Sequence, residues 1–65
     1  MPVQDYQARM NRESDELNMK VGNLKAFLLT AEFERLEPFD QYLAHQQLLA
    51  MLTYSKLLSE RIARA

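Results

Sequence analysis

Tyr6 and Lys20 are the side chains of this sequence with most to offer a ligand: one aromatic face and one cation. Tyr6 stands near the start of a run with helical periodicity. Its ring either packs into a helix seam or, where that stripe runs out of partner, offers a face for a nucleobase to stack on. Such stacking contributes roughly 1–3 kcal/mol per base. Arg9 and Arg12 follow one and two turns later, and each has a carboxylate at i+4, Glu13 and Glu16. Those pairs are worth about 0.2–0.5 kcal/mol each. Lys20 shares the helical phase of Tyr6 and Phe27, on the face expected to be buried. A lysine there snorkels to the seam edge, pairs with Glu16 or meets an anion. Gly22 lies inside the same helix, where glycine costs about 1 kcal/mol relative to alanine. It is either merely tolerated or leaves room for a neighbouring backbone or a ligand, with the amide of Asn23 beside it. Arg61 and Arg64 fall in the last turn of the second helix and complement its dipole. A phosphate contact is the other role open to Arg61.

Catalysis finds little to work with. The chain has no cysteine, no glycine-rich phosphate loop, and no Ser/His/Asp constellation in a strand–turn–helix setting. Its 13 acidic, histidine and serine residues are scattered along helices. His45 is the lone histidine and has no second ligand at helical spacing, so no metal site is expected. The expectation is a non-enzyme without cofactor. A net charge of −1, from 8 basic and 9 acidic residues mixed along the chain, argues against binding long nucleic acid. No apolar run approaches the roughly 20 residues of a membrane span. "MPVQDYQ" does not read as a signal peptide, so a cytoplasmic protein is expected.

The elements that must position these residues are two long helices. The reading is an all-α antiparallel hairpin in one domain: a helix over about 2–29, a bend with a short turn over 30–37, and a helix over about 38–64. Pro2 and Asp5 suit the first helix start, and Pro38 opens the second while pushing Glu37 out of helical geometry. The first stripe runs Val3, Tyr6, Met10, Leu17, Val21, Leu24, Phe27 and Leu28, with Glu13, Ser14 and Lys20 in seam positions. Phe33 and Leu36 pack under the bend. On the second helix the apolar residues point in three directions. Phe39, Leu43, Ala50, Tyr54 and Leu57 share one. Leu48, Met51, Leu58 and Ile62 lie opposite, and Leu49 and Leu52 fill a third. A helix apolar nearly all round is a buried helix. A 65-residue chain without disulfides has one partner helix to offer, so further copies are expected to cover the rest.

"YQARMNRESDELNMKVGNLKAFL" followed by "FERLEPFDQYLAHQQLLAMLTYSKLLSERI" resembles the small helical phage proteins that act as anti-CBASS cyclic-oligonucleotide sponges. The resemblance covers Tyr6 to Ile62. It implies a compact homo-oligomer, a hexamer in the family, built from helical hairpins. It also implies binding without cleavage of cyclic dinucleotides such as cyclic GMP-AMP, and in some members of cyclic trinucleotides at a separate site. The messenger is thereby kept from the immune effector in the cytoplasm of the infected bacterial host. By position, Tyr6 matches the base-stacking aromatic and Lys20 is the nearest match to the phosphate-binding lysine. Arg9, Gly22 and Asn23 flank them, and Arg61 is the candidate at the trinucleotide site. Tyr6 and Lys20 are 14 residues apart, about 21 Å along a straight helix. Either the first helix bends or the lysine comes from a neighbour. The alternative is a structural or adaptor helical oligomer without a small-molecule ligand.

Overall fold

The computed structural model describes residues 3–65, and their side chains from Asp5 onward. Pro2 and the side chain of Val3 lie outside the described residues. Three helices follow one another: α1 (Val3–Phe27), α2 (Ala31–Glu34) and α3 (Pro38–Arg64). α1 and α3 pack along each other as an antiparallel hairpin 49 Å long and about 16 Å across. The radius of gyration is 15.1 Å, against about 11 Å for a compact globule of this length. Such a rod has a thin core. Met10, Leu17, Val21 and Leu58 are buried along it, with Leu48, Met51 and Ile62 packed against them.

The pairing selects one narrow seam on each helix. On α1 and its last turn, Gln7, Met10, Ser14, Leu17, Val21, Leu24 and Leu28 are buried or half-buried, at alternating spacings of three and four. On α3 the same rhythm runs through Gln41, Ala44, Leu48, Met51, Ser55, Leu58 and Ile62. This seven-residue repeat is that of a two-helix coiled coil, where only the a and d positions face the partner. The expected stripe on α1 was too broad. Glu13 and Lys20 are exposed and Phe27 is half-buried, while Tyr6 keeps 42% of its surface. These four residues recur every seventh position and flank the seam. One partner helix is too thin to cover both the seam and its flank.

The bend is built by side-chain caps. α1 ends at Phe27, two residues before the expected boundary, and the next two turns tighten to i→i+3 bonds, Leu29 N–H to Ala26 O and Thr30 N–H to Phe27 O. Thr30 then serves both helices. Its hydroxyl donates to Phe27 O (2.7 Å) and accepts from Phe33 N–H (3.2 Å), closing α1 and opening α2. Gln41 reaches back from α3, its amide donating to Phe33 O (3.0 Å) and Glu34 O (3.2 Å) at the end of α2. Phe33 is buried between the edges of Phe27 and His45, at centroid separations of 5.8 and 5.4 Å. Glu37 is extended and Pro38 begins α3, as the backbone restriction before proline requires.

Of the three apolar directions on α3, α1 covers the one through Leu48, Met51, Leu58 and Ile62. The others stay open: Phe39, Leu43, Tyr54 and Leu57 on one side, Leu49 and Leu52 on another, all exposed. Among the described residues no helix is long and apolar enough to cross a membrane.

Candidate functional site

Antiparallel packing brings the start of α1 beside the end of α3. There the guanidinium of Arg61 donates from Nη2 to the Tyr6 hydroxyl, across 55 positions of sequence. The aromatic and the cation that sequence reasoning assigned to two different sites therefore form one corner at the open end of the hairpin. The tyrosine ring is neither a core residue nor free. Its hydroxyl is held while 42% of its surface remains accessible. Both partners keep unused capacity. Arg61 has five N–H donors, of which the tyrosine oxygen takes one, and the phenol ring has a face with π density for stacking. A planar cation tied to an exposed aromatic suits a ligand that combines a flat base with an anionic phosphate.

The other candidates stand apart from this corner. Lys20 is exposed, and α1 runs as one continuous helix from Val3 to Phe27. Within a single chain Tyr6 and Lys20 thus remain about 21 Å apart along the axis. The expectation that Lys20 sits on a buried face is corrected: it borders the seam with its ammonium in water. Arg9, Arg12, Gly22 and Asn23 are all exposed. A Cβ built on Gly22 meets no atom within 4 Å, so nothing inside the hairpin calls for a glycine at that position. His45 is an aromatic edge in the bend cluster, against Phe33.

Two features were not anticipated from sequence. Ser55 donates to the side-chain oxygen of Asn18 (3.1 Å), a second polar tie between the long helices. Beside it lies an open groove of about 550 Å³, lined by Leu52, Ser55, Lys56, Ser59 and Arg64 among others. Serine in a heptad a position was the available signal, because a small polar residue there leaves a gap in the seam.

A family model described as Sequestin matches residues 4–64. The chain is also similar to a protein of Enterobacteria phage T4, the "Uncharacterized 7.5 kDa protein in denB-rIIB intergenic region". The two are 37% identical over 59 residues, spanning 91% of this chain and 92% of the relative. No solved structure matches the hairpin. The match over nearly the whole helical length places the chain in the Sequestin family, the anti-CBASS phage proteins that sequester cyclic nucleotides.

Proposed function

We propose that this protein binds cyclic dinucleotide second messengers, such as cyclic GMP-AMP, and holds them uncleaved, so that host CBASS immunity is not triggered. The observation that carries this reading is the exposed Tyr6 ring tied to Arg61 at the open end of the hairpin. The ring stacks on a base, and the guanidinium, already oriented by the tyrosine hydroxyl, meets a phosphate oxygen. Lys20, Arg9, Gly22 and Asn23 are assigned to the same ligand, with Lys20 supplied by a neighbouring copy because one straight helix keeps it about 21 Å from Tyr6. Arg61 is also the candidate contact for a cyclic trinucleotide at a second site. Assembly into a homo-oligomer is supported by the uncovered leucines and tyrosines of α3, and a hexamer is what the family resemblance implies. Family membership supports sequestration rather than turnover, and the likeness to a phage T4 protein supports action in the cytoplasm of an infected bacterium.

A panel of cyclic di- and trinucleotides in thermal-shift assays tests the reading, because a ligand that binds only the folded state raises Tm by mass action. The expected result is a large shift with at least one cyclic dinucleotide, which is recovered intact after denaturation. Recovery of linear nucleotide would identify an enzyme instead. A second reading, a structural or adaptor oligomer, is favoured by the same Tyr6–Arg61 bond, since the two side chains satisfy each other without a ligand. A panel in which no nucleotide moves Tm decides for it.

A further inference from the structure

The end of the rod opposite the Tyr6–Arg61 corner carries apolar side chains that neither long helix covers. Phe39 and Tyr42, at the start of α3, stack on each other with centroids 6.2 Å apart and planes 21° from parallel. They keep 66% and 55% of their surface, and Leu29, in the bend, keeps 90%. Tyr6 lies level with Arg61, so Phe39, 22 residues back along α3, lies level with position 28, just past the end of α1. The aromatic pair therefore belongs to the bend end, about 33 Å from the corner.

Charge says what fits there. Residues 29–42 hold four carboxylates, Glu32, Glu34, Glu37 and Asp40, against the one guanidinium of Arg35, and all five are exposed. The segment carries −3 in a chain of net charge −1, so the remainder carries +2. The dipole of α3 accounts for Asp40 in its first turn. It does not account for two aromatic rings held in water beside that carboxylate. An anionic ligand is repelled by such a rim, whereas a cation with apolar neighbours is attracted by it. The geometry points to the bend end as a docking surface for another protein, through a segment that presents arginine among apolar side chains. A guanidinium lies flat on the open face of one ring. Its N–H donors then reach the neighbouring carboxylates, Glu37 or Asp40, in a way that a lysine ammonium does not match.

A second copy of the chain is a poor occupant. Two bend ends in contact would set −3 against −3. A bend end seated on the basic corner of another copy is a head-to-tail contact, which in a rod joined end to end propagates as a filament instead of closing.

The probe is a short blocked peptide with arginine and leucine at helical spacing, titrated into isotope-labelled full-length protein without nucleotide and followed by NMR. The control peptide has glutamate for each arginine. The expected result is saturable shifts at Leu29, Phe39 and Tyr42 from the arginine peptide alone, weakening as salt is raised. Phe39→Ala and Tyr42→Ala, each checked for helix content by circular dichroism, are expected to weaken peptide binding about fivefold. Shifts of equal size from both peptides, shifts centred away from the bend end, or no saturable shift at all overturn the proposal. Bend-end signals that move when the protein alone is diluted also overturn it, and give the surface to a second copy. Because no nucleotide enters these measurements, their failure and the failure of the sponge reading are separately visible.

Discussion

At Tyr6 the hydrogen bond to Arg61 and the proposed stacking face meet in one side chain, and they separate by substitution. Removing the ring with Tyr6→Ala is expected to weaken cyclic dinucleotide binding by about 1–3 kcal/mol in titration calorimetry. Tyr6→Phe keeps the face and loses only the bond to Arg61, which at an exposed site contributes about 0.5–1.5 kcal/mol at most. If Phe and Ala bind equally poorly, the hydroxyl and not the stacking face matters. Gly22 is a second residue whose two readings diverge. With open space around it, Gly22→Ala is expected to stabilise the free protein by about 1 kcal/mol in urea unfolding. If the same change lowers affinity, a ligand or a neighbouring copy comes close to that backbone.

At the scale of elements, the hairpin depends on a few fixed points. Leu58 is 1% exposed and touches the α1 core, so Leu58→Ala is expected to cost about 2–5 kcal/mol in urea unfolding. Leu57, its neighbour, keeps 58% of its surface and faces away from α1. Leu57→Ala should leave the hairpin's own fold unchanged and act on assembly, which sedimentation reads as a loss of mass at fixed concentration. At the bend, Thr30→Ala removes a cap shared by two helices and is expected to cost about 1 kcal/mol. The caps explain why a chain with few loop residues turns sharply: Thr30 satisfies the end of α1 and the start of α2, and Gln41 the end of α2, while α3 opens on Pro38 without a side-chain cap.

At the scale of the molecule, α3 shows apolar residues on two faces that α1 leaves open, and the proposed assembly covers them with other copies. Its stability is therefore expected to depend on protein concentration, with Tm rising as the sample is concentrated from micromolar upward. A sharply melting monomer with a concentration-independent Tm would contradict this. Much of the fold is legible in residue order. Helical periodicity, Pro38 after a residue that cannot stay helical, and the scarcity of glycine dictate two long helices and a bend, because these are local preferences of neighbouring residues. The excess of apolar residues on α3 is equally a matter of counting. Which apolar row faces α1 is not local. It depends on the choice among three competing rows, and on a seam only two positions in seven wide, so Lys20 and Glu13 were placed a notch too deep. The meeting of Tyr6 with Arg61 was likewise beyond periodicity, since it is set by the length of the bend and the register of one helix against the other, 55 positions away. Short-range preferences therefore determined the helices, and long-range packing alone decided which side chains share a corner.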